Sequence, residues 1–260
     1  MGWRTRLPVT NVARRSRPRA AEYRSPWHPD ISKSSCDRAL VIIISVFCLT
    51  AAGCNSLPAG DSAALQALHR TSATQPATPI VLIRGWRDLW SDGIDTLAEK
   101  LRANGQVAAV FKESQWRQVE TTLVERATAA PPRSPIILVG FSYGADDAIR
   151  ISRRLDGIDQ SVDLLILVDP VTPASIPPNV RRCVNYFQSN GVWDVFPWLR
   201  GIGVTAEKPS LAAAVVNIDL RDRPDLLEPG TSHKTIAANA KVHAAILAEV
   251  ERIGGSYCLP

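Results

Sequence analysis

The sequence predicts an α/β fold, a mostly parallel sheet of about six strands flanked by helices. Short apolar runs bounded by Pro, Gly or Asn recur from residue 79 onward, as strands buried on both faces do. Amphipathic stretches of helical period alternate with these runs. One junction between a run and a helix carries the pattern G-x-S-x-G, at Gly140-Phe141-Ser142-Tyr143-Gly144.

Taken in order, residues 79–84 (Ile80, Val81, Leu82, Ile83) form the first buried strand, and Gly85-Trp86-Arg87 turns the chain out of it. Residues 92–104 form a helix with Ile94, Leu97, Ala98 and Leu101 on one stripe and Gly105 as its stop. Residues 107–111 are a strand, and residues 116–130 a helix closed by Pro131-Pro132. The run 135–139 leads into the serine turn, and Ala148, Ile149, Ile151 and Leu155 mark the helix after it. Residues 162–168 are a strand ending in Asp169-Pro170. Strands follow over 180–188 and 213–220, and one long helix over 232–253. Such a sheet gathers functional side chains at the carboxyl ends of its strands.

A serine at a tight strand-to-helix turn sits on strained backbone, and side chains two positions to either side of it would crowd the turn. The helix after it turns its first N–H groups toward the site, so the N–H of Tyr143 is a candidate oxyanion donor. Here the chain resembles the α/β-hydrolase superfamily over about residues 79–253. That resemblance implies a Ser–acid–His triad in chain order. The superfamily commonly carries His-Gly-x after the first strand. This chain has Arg84 in place of the His and keeps Gly85, which makes the N–H of Trp86 the second candidate donor.

His233 lies in the loop entering the last helix, where the superfamily places its base, and an imidazole suits proton transfer near neutral pH. His243, inside that helix, is read as structural, and His69 lies before the domain. For the acid, Asp169 ends its strand directly, and Asp169-Pro170-Val171 is similar to the Asp-Pro segment of pancreatic-type lipases. Asp194 is the runner-up, since many superfamily members place the acid one strand later, and Asp219 stands third. Trp193, Phe196 and Trp198, in an apolar loop, and Tyr143 are candidates for lining an acyl pocket. A satellite of the core is the alternative for that loop.

Residues 1–53 read as a basic leader followed by a signal peptide, with the apolar run 41–49 too short for a comfortable span. Thr50-Ala51-Ala52-Gly53-Cys54 resembles a bacterial lipobox, although Ala51 stands where Leu is commonest. That implies cleavage before Cys54 and a lipid on it, hence placement in the bacterial envelope facing the periplasm. Asn55, rather than Asp, slightly favours the outer membrane. Residues 54–78 read as a flexible tether, with a short helix near 63–69, and 79–260 as the hydrolase domain. The whole chain has 30 Lys and Arg against 25 Asp and Glu. The leader holds nine basic and three acidic residues, so 21 basic and 22 acidic residues remain, and a nucleic-acid partner is not implied. Of the five cysteines, Cys183 and Cys258 remain beyond Cys54, and an oxidising compartment would join them in a disulfide. No C-x-x-C or H-x-x-x-H spacing suggests a metal site.

The function these residues point to is hydrolysis of a small carboxylic ester or thioester through an acyl-serine, which needs neither metal nor cofactor. Acyl transfer by the same triad is one alternative. A catalytically silent envelope lipoprotein that binds a lipid or protein partner is the other.

Overall fold

The structure is a computed structural model that describes residues 66, 68, 79–129, 135–188 and 201–257, without the side chains of 254–257. Six strands form one sheet in the order β2-β1-β3-β4-β5-β6, and every neighbouring pair is parallel. They are β1 (Ile80–Ile83), β2 (Ala108–Phe111), β3 (Ile137–Phe141), β4 (Leu164–Val168), β5 (Cys183–Phe187) and β6 (Val215–Asp219). The helices are α1 (Asp92–Ala103), α2 (Trp116–Ala129), α3 (Tyr143–Asp156) and α4 (Ala240–Tyr257).

Period-2 alternation builds two core layers from the same strands. Ile80 and Leu82 of β1, with Val139 and Phe141 of β3, face α1 and α4 through Ile94, Leu97, Leu101, Val242, Ile246 and Val250. Val81 and Ile83, with Leu138, Leu165 and Leu167, face α2 and α3 through Val119, Leu123, Ala148, Ile149 and Leu155. Leu68 is fully buried in this second layer, and Gln66 and Leu68 are helical, inside the short helix expected near 63–69. Strands β1, β3, β4 and β5 are buried at every position, which is why they read as unbroken apolar runs. β6 is the partly exposed edge. The strand order reverses between β1 and β3, and in open α/β sheets ligands bind outside the carboxyl ends of the strands at such a point.

One expectation is corrected here. The long helix over 232–253 is instead a 3-10 turn (Ile236–Ala238) followed by α4. Asn239 divides them. Its backbone is extended (φ −62°, ψ 115°), and its Oδ1 accepts the N–H groups of Lys241 at 2.9 Å and Val242 at 3.0 Å. A buried Asn in that conformation caps a new helix and ends the turn before it. Cys183, one half of the expected disulfide, is fully buried, with its side chain facing the α2–α3 layer on the side of the sheet away from α4. Burial pushes that thiol up to about 12, so it is a protonated core residue. Cys258, its expected partner, lies outside the described residues.

Asn239→Ala removes the α4 cap together with the bond from its Nδ2 to the Leu226 carbonyl (3.0 Å). The expected loss is about 2 kcal/mol of stability. Urea denaturation should show a lower midpoint with an unchanged slope, and a midpoint equal to the parent's would remove Asn239 from the account.

Candidate active site

β3 ends at Phe141 and α3 begins at Tyr143, which leaves Ser142 alone to make the turn, at φ 55° and ψ −124°. A non-glycine residue holds that backbone only where its surroundings over-determine it. Close packing does so here. A Cβ on Gly140 would come within 2.3 Å of the Gly144 carbonyl oxygen and 2.5 Å of Ala145 Cα. A Cβ on Gly144 would come within 2.3 Å of the Arg84 carbonyl oxygen. The helix start therefore lies directly against the end of β1, and the Ser142 N–H donates to the Val168 carbonyl of β4 at 2.9 Å. A Cβ on Gly85 would already sit at 3.2 Å from both the Phe141 ring and Ser142 Cβ, so the turn after β1 runs beside the serine.

Ser142 Oγ lies 3.0 Å from His233 Nε2, and His233 Nδ1 lies 2.6 Å from Asp169 Oδ2. A carboxylate only accepts, so Nδ1 carries the proton in that second bond. In the neutral ring Nε2 is then the acceptor, and the serine hydroxyl donates to it. Asp169 is fully buried, whereas Ser142 and His233 each keep 6% exposure, so the acid is the most deeply placed of the three groups. Phe141 stacks on the His233 ring at 5.4 Å between centroids, which fixes the plane of the imidazole.

Asp169 follows β4 directly and takes a left-handed backbone, φ 51°. Its N–H donates to the Tyr186 carbonyl of β5 at 2.8 Å, and its Oδ1 accepts the Gln188 N–H at 3.2 Å. One carboxylate oxygen is thus held by the end of β5 while the other holds the histidine. His233 arrives on the loop before the 236–238 turn. That turn packs on the start of α1 so closely that a Cβ on Gly93 would meet the Ala237 carbonyl oxygen at 2.1 Å. Lys234 lies over the Trp90 ring at 4.9 Å, a second tie between this loop and the turn after β1.

Tyr143 opens α3, and Trp86 opens the 3-10 turn Trp86–Asp88, so each N–H belongs to a first turn and has no acceptor within its own helix. Arg84 donates to Asp95 at 2.6 Å from the base of the β1 turn. Trp86 is half exposed. Asp194, Trp193, Phe196, Trp198 and Cys54 lie outside the described residues. Asp219 is elsewhere, bonded to Arg221 just beyond β6. His243 is a buried structural residue, with Nε2 donating to the Ala237 carbonyl at 2.7 Å and Nδ1 3.0 Å from Lys100 Nζ.

Sequence reasoning missed the residues that hold the site from outside. Phe141 is the first x of G-x-S-x-G, but its stacking partner is remote in sequence. Gln188 acts through backbone alone. Asp146 and Asp147, both buried on α3, left a signal that was available: two adjacent acids beside the apolar positions Ala145, Ala148 and Ile149.

No family model matches this chain. Over 79 residues it is 28% identical to a non-reducing polyketide synthase from Pseudevernia furfuracea. The match takes in 30% of this chain, which spans only about 4% of that protein's length. Among solved structures, the chain is similar to a protein from Xanthomonas campestris pv. campestris described as a hydrolase of the alpha/beta superfamily. That likeness has 18% identity and TM-score 0.40, over 66% of this chain and 98% of that one. It is also similar to the NocB thioesterase domain in covalent complex with a fluorophosphonate nocardicin G analogue, with 14% identity and TM-score 0.43, over 68% and 96%.

Asp147 supplies a test of the electrostatics beneath the serine. Burial, only partly offset by the ion pair to Arg150, pushes its carboxyl up to about 7. The folded state therefore keeps a proton that the unfolded chain releases near the ordinary value of 3.8, and stability from this group falls as pH rises between the two. Asp147→Asn removes that dependence. Its melting temperature relative to the parent should rise from pH 5 to pH 8, by the equivalent of about 3 kcal/mol at most, since only about two pH units of that window lie below 7. A difference that stays constant across that range in paired thermal scans would contradict the assignment.

Proposed function

We propose that this protein is a serine hydrolase that cleaves small carboxylic esters or thioesters through an acyl-serine intermediate. The observation that carries the proposal is the hydrogen-bonded line Ser142–His233–Asp169, with the serine on a left-handed turn at the carboxyl end of the central strand. Ser142 Oγ attacks the substrate carbonyl carbon as His233 Nε2 takes the hydroxyl proton, and the carbonyl π electrons move onto oxygen. Asp169 holds the ring and stabilises the imidazolium. The N–H groups of Tyr143 and Trp86 are the proposed donors to the oxyanion. Collapse expels the alkoxide or thiolate, which takes its proton from His233. Water then repeats the sequence on the acyl-serine, releasing acid and restoring the hydroxyl.

Burial supports the role of Asp169. A carboxylate removed from water acts on His233 with little screening. We further propose, from the sequence alone, that Cys54 carries a lipid and tethers the domain to the envelope of a bacterium.

Ser142→Ala should lower hydrolysis of p-nitrophenyl esters and acyl-thioesters by about a thousandfold or more, with an unchanged circular dichroism spectrum. Substantial activity in the purified variant would end the nucleophile assignment. Asp169→Asn should be far more damaging than Asp194→Asn, and the reverse ranking would move the acid. For the tether, the parent should incorporate palmitate in cells and Cys54→Ser should not. Membrane association unchanged by the substitution, with no palmitate in the parent, would count against lipidation.

A further inference from the structure

The acid of the site sits on a loop, Asp169-Pro170-Val171-Thr172, that leaves β4 in a left-handed conformation. Its upstream end is fixed by β5, through the Tyr186 carbonyl and the Gln188 N–H. Its downstream end is fixed by a side chain of α3. Asp146 Oδ2 accepts the Thr172 N–H at 2.9 Å and the Thr172 hydroxyl at 3.0 Å. Asp146 is 3% exposed, and its other oxygen is buried with no hydrogen-bond partner among the described residues.

Asp146 follows Ser142 by four residues, in the first turn of the same helix, and Thr172 follows Asp169 by three. A single buried carboxylate therefore joins the helix that carries the serine to the loop that carries the acid. The histidine must reach both. Its bond to Asp169 is short and its bond to Ser142 ordinary, so a loop displaced by a fraction of an ångström moves the ring away from the hydroxyl. An apolar side chain at 146 would fill the same space without meeting the two Thr172 donors, and the loop would lose its tie to α3.

We propose that Asp146 is a positioning residue. By holding Thr172, it sets the distance between Asp169 and the serine helix and so keeps His233 aligned with the Ser142 hydroxyl. The role presupposes the triad proposed above. Supporting it, burial raises the Asp146 carboxyl to about 6, and the two Thr172 donors are the leading groups that oppose that rise, ahead of the Arg150 charge and the Val171 backbone.

The test uses the full chain and two readouts. One is kcat and KM on the p-nitrophenyl ester that the parent cleaves best. The other is the low-field proton NMR signal of His233 Nδ1–H, which needs no substrate. Asp146→Ala should lower kcat about 10- to 100-fold while KM stays within about threefold, and should shift or broaden the His233 proton. Asp146→Asn keeps an oxygen for Thr172 and should recover most of kcat and the parent signal. Thr172→Val should cause a smaller fall and add nothing in the double variant with Asp146→Ala, because the two share one interaction. A folded Asp146→Ala with parent kcat and an unmoved His233 proton would overturn the proposal, as would an Asn variant no better than the Ala variant. If Asp146→Ala does not fold, Thr172→Val decides. A displaced His233 proton supports the positioning role and an unmoved one overturns it. A parent that cleaves none of the esters refutes the hydrolase reading, while the His233 proton still reports on Asp146.

Discussion

Everything at this site depends on three backbone segments packed closer than any side chain allows. Gly140 at the end of β3, Gly144 at the start of α3 and Gly85 after β1 meet around Ser142, with the β1 carbonyls of Ile83 and Arg84 against the helix start. That contact holds Ser142 in its left-handed turn, with its Oγ 3.0 Å from His233 Nε2. A methyl group at Gly140 or Gly144 would overlap main-chain atoms at 2.3 Å, and main chain cannot swing aside as a flexible side chain can. The turn is thus specified by packing, and the strain of Ser142 is borne by the two core layers beneath it.

From that fixed point the other groups are reached through strand ends. Asp169 leaves the strand beside β3, and Gln188 leaves the strand beside that. The parallel register places Phe141 opposite Val168 and Val168 opposite Tyr186. The base comes from the far end of the chain and is held by packing instead, by the Phe141 ring and by the close approach of Gly93 to the 236–238 turn. Rigid strands set the acid and serine, while an irregular loop, clamped on one side by α1, presents the histidine. Of the three residues, His233 is the one whose placement relies most on its neighbours.

Much of this was legible in the sequence because strands buried on both faces leave unbroken apolar runs, and Ile80–Ile83 and Leu164–Val168 are such strands. Strand ends were less legible. The expected run 135–139 became Ile137–Phe141 because Gly140 and Phe141, which look like turn residues, still pair with Leu167 and Val168. The last helix was read too long because the apolar stripe runs through Ile236 and Ala237, and only the side-chain bonds of Asn239 divide it. No local pattern says which face of the sheet α4 covers, so the layer that takes Cys183 was not legible. Ser142, His233 and Asp169 could be singled out because each has a fixed place relative to an element. The residues that brace them, Asp146 and Gln188, act through bonds to residues 26 and 19 positions away, which leave no periodicity to read.

The central claim is that Ser142 is a nucleophile made reactive by His233. The most direct measurement is labelling of the full chain with a fluorophosphonate, followed by mass spectrometry of its peptides. The account predicts one phosphonyl group, on Ser142, and its loss in His233→Ala with the fold intact. A chain that stays unlabelled at neutral pH, or that carries the label on another residue, would contradict it.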